Sequence, residues 1–361
     1  MKRLLWVVGI VCALAAAAGL AFWLSPWPSA FLISRMFAGN DAASEAALAA
    51  HVPAGVVERR DLRYGDGADE RFDVFFPADT TAPRPTIVWV HGGAWIAGSK
   101  EGVSNYLKVL AGQGYTTVAI EYSTGMGSRY PKPVEQVNAA LGHLVRQARD
   151  LHVDPDQLVL AGDSAGAQIA AQIAVLTTDP SYAARLGVRP ALPPNGLKAV
   201  MLLSGAFDVG AVDLDGDMGW FLRTVLWAYS GVKDFTKDEQ FKLVSVTNYV
   251  TPAFPRAFIS SGNGDPLEPQ AIALADKLEA LGGRVERLFY RADHMPALQH
   301  EYQFNLDSPE GQLALTRMSA FLDAALAPER TAAGAAEGRG RGSVVRRPVR
   351  RRRGAHPSPG R

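Results

Sequence analysis

The stretch that decides the fold is Leu158-Val159-Leu160-Ala161-Gly162-Asp163-Ser164-Ala165-Gly166. Its first four residues form an unbroken apolar run of the kind that is buried in a parallel sheet. The glycines two before and two after Ser164 allow a sharp turn from a strand into a helix, because they let the neighbouring segments pack closely. The pattern predicts that Ser164 is exposed above the sheet edge as a nucleophile. An ordinary glycine-rich turn is the alternative interpretation.

Similar apolar runs, rich in β-branched residues, recur on both sides of this stretch. They predict early strands at 56–57 and 72–76, and buried strands at 86–90, 116–120, 158–161, 199–203, 257–260 and 285–290. Helical patterns separate them over 102–112, 133–150, 165–177, 269–281 and 310–326. Alternation of long apolar strands with helices predicts an α/β fold, in which a mostly parallel sheet is flanked by helices on both faces.

A glycine-rich loop follows the strand predicted at 86–90 and reads His91-Gly92-Gly93-Ala94-Trp95. In acyl transfer, negative charge develops on the substrate carbonyl oxygen, and preorganised N–H groups stabilise it. We expect an oxyanion hole formed by Gly92, Gly93, Ala94 and Ala165, with the last three as the donors. His91 is interpreted as a residue that shapes the loop, since the chain contains no HxxxH or HExxH metal-binding pattern.

The other catalytic partners are predicted from chain order, which in this kind of fold is nucleophile, acid, histidine. Asp265 follows the strand at 257–260 and can orient an imidazole while stabilising its protonated form. His294 follows the strand at 285–290 through a short loop and is the predicted general base, with His300 as the runner-up. Two further alternatives for the acid are Glu268 and Asp293.

Together these motifs resemble the α/β-hydrolase superfamily, and within it the hormone-sensitive-lipase-like esterases and bacterial carboxylesterases. The resemblance is carried by the loop at 91–95 and the turn at 162–166, and it covers about residues 55–327. Alanine replaces a common glycine at Ala94 and at Ala167, but neither change removes a backbone N–H. The resemblance implies a serine carboxylester hydrolase that needs no cofactor or metal and acts on short to medium acyl esters.

Two other functions remain open on the same residues. An amidase, formamidase or peptidase would use the same triad, because amide and ester cleavage share one tetrahedral intermediate. A catalytically silent, ligand-binding protein is the alternative from another class, since a fold does not by itself establish a function.

An aromatic-rich insertion over 207–254 is predicted to act as a cap over the site. Trp95, Trp220 and Trp227 are candidate substrate-pocket residues. Packing within the insertion itself is an equally good interpretation of most of these aromatic residues.

The N-terminal residues 1–28 are predicted to be a transmembrane anchor or a signal segment. Leu4 to Leu24 is an uncharged run of 21 residues, long enough as a helix to cross a bilayer, and Lys2 and Arg3 precede it. Trp23 and Trp27 suit the far membrane interface. We therefore expect an uncleaved anchor with an exported catalytic domain, with secretion after signal cleavage as the alternative. Residues 29–54 are predicted to be a linker.

Charge is distributed unevenly between the two ends. From Arg330 onwards the chain carries ten arginines and one acid, whereas residues 1–329 carry 27 basic and 35 acidic residues. Such a mildly acidic body does not indicate nucleic-acid binding. The stretch 328–361 is predicted to be a disordered basic tail. The single cysteine, Cys12, excludes a disulfide framework. The oligomeric state is left open.

Overall fold

The computed structural model of the chain describes residues 2–216, 218–327 and 360. Within them, eight strands form one sheet in the order β1-β2-β4-β3-β5-β6-β7-β8. Strands β2 and β4 are antiparallel, as are β1 and β2, and every pair from β4 to β8 is parallel. The strands are β1 (Val56–Arg63), β2 (Arg71–Pro77), β3 (Arg84–Val90), β4 (Thr116–Ile120), β5 (Val153–Asp163), β6 (Ala199–Leu203), β7 (Arg256–Ser260) and β8 (Val285–Leu288). The predicted α/β class is confirmed.

Helices cover both faces of this sheet. They are α1 (Lys2–Leu24), α2 (Trp27–Leu48), α3 (Ser104–Ala111), α4 (Lys132–Arg146), α5 (Ser164–Thr178), α6 (Pro180–Leu186), α7 (Gly219–Ser230), α8 (Glu268–Ala280) and α9 (Pro309–Leu326). One core cluster joins Val88 and Val90 to residues of α4, α5 and α8. The other joins Ile87 and Trp89 to residues of α3 and α9. Successive residues of β3 thus enter opposite cores, as the two-residue period of a strand requires.

The prediction that 29–54 is a linker is wrong. Residues 27–48 form α2, which packs on the body of the protein through Ala30, Ile33 and Leu48, all nearly fully buried. The Glu45 carboxylate also accepts a hydrogen bond from the Asn105 backbone N–H at 3.1 Å. The apolar residues of α2 show no distinct helical period, so which of them are buried depends on the surface that α2 covers. The predicted tail over 328–361 lies outside the described residues, apart from Gly360.

The parallel arrangement places the carboxyl ends of the central strands at one edge of the sheet. The loops after β3, β5 and β7 all emerge there. Open α/β sheets bind ligands outside this edge.

Candidate active site

Ser164 lies at a sharp turn between β5 and α5. Its φ of +50° is in the left-handed region, which a non-glycine residue rarely adopts without support from its surroundings. A Cβ atom on Gly162 would collide with the Gly166 backbone, and one on Gly166 would collide with the Val90 carbonyl oxygen. Only glycine at these two positions lets β3, β5 and α5 approach so closely. The glycine spacing therefore produces the predicted turn.

A chain of hydrogen bonds connects Ser164 to a buried carboxylate through an imidazole. His300 Nε2 lies 2.9 Å from Ser164 Oγ, and His300 Nδ1 lies 3.0 Å from both carboxylate oxygens of Asp265. Ser261 Oγ donates to Asp265 Oδ2 at 2.7 Å, and the Leu267 N–H donates to Oδ1 at 2.9 Å. Asp265 is thus held in place by the turn that follows β7. We call Ser164, His300 and Asp265 the relay.

The prediction of His294 as the general base is wrong, and the runner-up His300 occupies that position. His294 Nε2 lies 3.3 Å from Glu310 Oε1 at the start of α9, and its ring packs against Tyr290. Strand β8 ends at Leu288, so a residue six positions after it is still in the turn beside α9. Six residues further along the chain lies His300, which contacts Ser164. The path of the chain between the two histidines depends on packing.

The alternative acids lie elsewhere. Asp293 forms an exposed ion pair with Arg291 at 2.9 Å. Glu268 begins α8, and burial, together with the negative charge of Asp265, raises its pKa. The structure therefore brings Asp265, and neither alternative, to the imidazole.

Carboxylates dominate the electrostatics of His300. Burial opposes its positive charge, but the charge of Glu301 and the hydrogen bond and charge of Asp265 outweigh burial and raise the pKa of His300 to about 9. Burial also acts on Asp265, where it favours the neutral acid. The hydrogen bonds from His300, Leu267 and Ser261 overcome it and lower the pKa of Asp265. The pair therefore favours imidazolium beside carboxylate.

The loop after β3 reaches over the N-terminus of α5. The Gly92 N–H donates to Asp163 Oδ2 at 2.7 Å, so the inclusion of Gly92 in the oxyanion hole is wrong. Gly93 has a φ of +106° and Ala94 a φ of +53°, and the Gly93 carbonyl accepts from Ile96 and Ala97 in a tight turn. Among the described residues, neither the Gly93 nor the Ala94 N–H has a hydrogen-bond acceptor.

His91 anchors the base of this loop. It is buried, stacks on Tyr122 with ring centroids 4.3 Å apart, and lies 3.4 Å from the Glu121 carboxylate. Burial opposes the charge of the imidazole, but the Glu121 carboxylate outweighs it and raises the pKa of His91. Its contacts are with the loop and strand end, in line with the expected shaping role.

The three predicted pocket tryptophans do not come together at Ser164. Trp95 is 4% exposed, stacks on Tyr229 and donates through Nε1 to Gln168 at 3.1 Å, so it is a packing residue. Trp220 and Trp227 instead line a cavity of about 400 Å³ between α7 and the N-terminal segment, together with Phe22, Trp23 and Pro26. This part of the prediction is wrong because the outward face of α7 meets the N-terminal helices.

Sequence reasoning missed Glu301. Its Oε1 lies 3.6 Å from His300 Nε2, the nitrogen that contacts Ser164 Oγ. Its position beside His300 in the chain would have been a signal once His300 was chosen as the base. Within the described residues, no group of three or more His, Cys, Asp or Glu side chains could hold a metal ion.

Known proteins that are similar to this chain include esterases. A family model described as BD-FAE matches residues 72–278, more than half of the chain. Esterase LipC of Mycobacterium tuberculosis is 31% identical over 155 residues, which are 42% of this chain but only 38% of LipC. Carboxylesterase NlhH of the same species is 27% identical over 277 residues, covering 75% of this chain and 83% of NlhH.

Solved structures show the same fold. Esterase B from Lactobacillus Rhamnosis (HN001) matches with a TM-score of 0.70 at 23% identity, covering 82% of this chain and 95% of that chain. Fold, relay and relatives together define an α/β-hydrolase of the hormone-sensitive-lipase-like esterase class. Within that class, the chain belongs to the BD-FAE family.

Proposed function

We propose that this protein is a serine carboxylester hydrolase that uses the relay for catalysis. Ser164 Oγ attacks the ester carbonyl carbon while His300 Nε2 accepts the hydroxyl proton. His300 then protonates the leaving alcohol, and an acyl-enzyme remains. In the second half-reaction, His300 takes a proton from water, which attacks the acyl carbon. His300 then gives this proton to Ser164 Oγ as the bond between Oγ and the acyl carbon breaks, which releases the acid and restores the free serine. The observation that carries this proposal is the continuous hydrogen bonding from Ser164 through His300 to Asp265.

The oxyanion of both tetrahedral intermediates would be stabilised by the N–H groups of Gly93, Ala94 and Ala165. Ala165 is the second residue of α5, and the first N–H groups of a helix have no intrahelical acceptor. The Asp163 carboxylate supports this arrangement because it accepts from both Gly92 and Trp89 Nε1, which ties the loop to the nucleophile turn. Each such donor contributes roughly 3 kcal/mol to transition-state stabilisation in comparable sites.

For the substrate we propose short to medium acyl esters, with the insertion over 207–254 as a cap that limits acyl length. The test is turnover of p-nitrophenyl esters from acetate to decanoate by wild type and Ser164→Ala, with the matching p-nitroanilides in parallel. A fluorophosphonate probe should label wild type and leave Ser164→Ala unlabelled. Equal ester turnover by both proteins would refute the proposal, and faster anilide cleavage would favour the amidase. Absence of both turnover and labelling would favour the ligand-binding alternative.

We also infer that α1 anchors the protein in a membrane, with the catalytic domain exported. The helix is long and apolar enough to cross a bilayer, and none of the residues in it is buried. Lys233 Nζ donates to the Trp23 carbonyl at 3.2 Å and lies over the Trp23 ring, next to the end of α1. Cell fractionation with sequencing of the mature N-terminus tests this. A soluble protein with a new start near residue 30 would indicate a cleaved signal.

A further inference from the structure

Glu301 has a constrained backbone directly beside the base of the relay. Its φ of +59° is in the left-handed region, and its N–H donates to Ser204 Oγ at 3.2 Å. Ser204 directly follows β6 and itself has a φ of +51°. A non-glycine residue keeps this conformation only where its surroundings impose it. The turn directs the Glu301 side chain back over the site that contains His300.

The Glu301 carboxylate lies beside the His300 nitrogen that contacts Ser164. Its Oε1 is 3.6 Å from His300 Nε2, and the side chain is 30% exposed. A Cβ atom built on Gly92 would be 3.0 Å from Glu301 Oε1 and 3.1 Å from Ser164 Cβ. Glu301 therefore lies between the glycine loop and the imidazole, on the side of the nitrogen that exchanges protons with Ser164.

A second carboxyl group, that of Asp163, lies next to the Glu301 side chain. Asp163 is buried and shares a hydrogen bond with Glu301. Burial and the charge of Glu301 raise the pKa of Asp163 to about 8. When two carboxyl groups share a site, one of them keeps a proton. Here the buried Asp163 keeps it, and its hydroxyl can donate to the Glu301 side chain.

We propose that Glu301 is a positioning residue for ester hydrolysis, acting through His300 by stabilising the imidazolium that forms when Ser164 gives up its proton. This inference rests on the proposed function of the relay. It assigns to Glu301 a role additional to that of Asp265, since Asp265 contacts Nδ1 and Glu301 faces Nε2. Both carboxylates favour the charged ring, but only Glu301 does so from the side where the reacting oxygen atoms lie.

The titratable groups that face His300 come from three elements. Asp265 lies in the loop after β7, Asp163 at the end of β5, and Glu301 in the loop of His300 itself. Behind Asp163 lies His91, which pairs with Glu121. Glu268 faces the relay only through Asp265. Removing the charge of Glu301 leaves the contact between Asp265 and His300 in place, so its effect can be separated from loss of the relay.

The variant that tests the inference is Glu301→Gln. Glutamine has the same shape, and its carbonyl oxygen can still accept from protonated Asp163. Loss of an opposite charge at this distance should lower the pKa of His300 by about one unit. The acid limb of kcat/KM should then move to lower pH by about one unit. The high-pH plateau should fall by about threefold to tenfold, because a weaker base transfers the proton less effectively. Glu301→Asp keeps the charge, so its acid limb of kcat/KM should lie between those of Glu301→Gln and wild type.

The experiment measures kcat/KM for p-nitrophenyl butyrate from pH 5.5 to 10.5, using the full chain in detergent. Glu310→Gln is the matched control, because Glu310 lies 3.3 Å from His294, a histidine outside the relay. In parallel, NMR titration of the His300 ring, assigned with His300→Gln, reports its pKa without any turnover.

An unchanged His300 titration in Glu301→Gln would overturn the inference, as would an even loss of kcat/KM at all pH values without a shift of the limb. If Glu301→Gln does not fold, Glu301→Asp decides: its shorter side chain moves the charge away from His300, so the inference predicts a smaller shift of the acid limb to lower pH, whereas a purely structural role predicts no shift. Failure of the proposed function itself would be distinct, because wild type would then show no ester turnover while the titration still reports on Glu301.

Discussion

His300 Nε2 lies 2.9 Å from Ser164 Oγ, although 136 positions separate the two residues in the chain. The contact joins the turn after β5 to a loop that is not regular secondary structure at all. Ser164 is held by glycine packing, and His300 is held by Asp265 on one side and by the backbone turn at Glu301 on the other. The catalytic geometry therefore depends on how the loop between β8 and α9 crosses the sheet edge.

The two candidate histidines can be separated by substitution. We expect His300→Ala to lower kcat for p-nitrophenyl butyrate by at least about a thousandfold, since it removes the base that activates Ser164. His294→Ala should change kcat/KM by less than about twofold, because His294 contacts Glu310 and Tyr290 instead. The reverse ranking would restore His294 as the base.

Asp265→Asn should lower kcat by about four orders of magnitude while the protein stays folded. An amide can present its N–H₂ group to Nδ1 and so favour the wrong tautomer of His300. Asp293→Asn is the matched control, since its ion pair with Arg291 is exposed. The measurement is kcat for both variants, with circular dichroism as the check on folding. Similar kcat values would contradict the assignment of Asp265.

Gly93→Ala should lower kcat by about a hundredfold to a thousandfold, because the loop must move and an oxyanion donor is lost. Its φ of +106° disfavours alanine, and the new Cβ would collide with the Ala97 carbonyl. Gly39→Ala is the control, since nothing lies within 4 Å of its Cβ position in α2. Steady-state kinetics on both variants measure this. Full activity of Gly93→Ala would argue against the loop as the oxyanion hole.

Trp95→Ala should lower the free energy of unfolding by about 3–5 kcal/mol, because it leaves a cavity beside Tyr229 and removes the hydrogen-bond donor of the buried Gln168 Oε1. Trp220→Ala should change it by less than about 0.5 kcal/mol, since Trp220 is 61% exposed. Denaturant unfolding of both variants in detergent measures the difference. Equal effects would mean that Trp95 is not packed as described.

Stability should depend on pH through Asp163, whose pKa rises from 3.8 to about 8 on folding. Between these values the folded protein holds a proton that the unfolded chain has released. The stabilisation from this proton is complete below about pH 4 and is lost as pH rises to about 8. Asp163→Asn cannot ionise at this position. The Tm of the variant should therefore rise relative to the Tm of wild type as pH increases from 5 to 8.5. A constant difference would contradict the raised pKa.

Much of the fold could be predicted because the deciding signals are local. Each buried strand is an apolar run, and the parallel arrangement follows from the helices between the runs. The turn at Ser164 was predictable because its two glycines remove collisions between segments that are close in the chain or in the adjacent strand. Asp265 was predictable because it lies in the short loop after β7, which the sheet edge already positions.

The linker, the pocket tryptophans and Gly92 were mispredicted for a shared reason. Whether Ala30 and Ile33 are buried depends on the surface under α2, and whether Trp220 faces a substrate depends on the N-terminal helices beside α7. The Gly92 N–H looked as available as those of its neighbours until the Asp163 carboxylate, 71 positions away, was seen to accept from it.

The sequence by itself determined the sheet, the nucleophile turn and the order of the catalytic residues, because these depend on side-chain period, glycine spacing and strand ends. Only the tertiary structure decided between His294 and His300. The chain after β8 first packs His294 against α9, and it turns His300 toward Ser164 only six residues later, through the left-handed conformation of Glu301 and its bond to Ser204. That path depends on contacts between segments far apart in the chain, which no local pattern encodes.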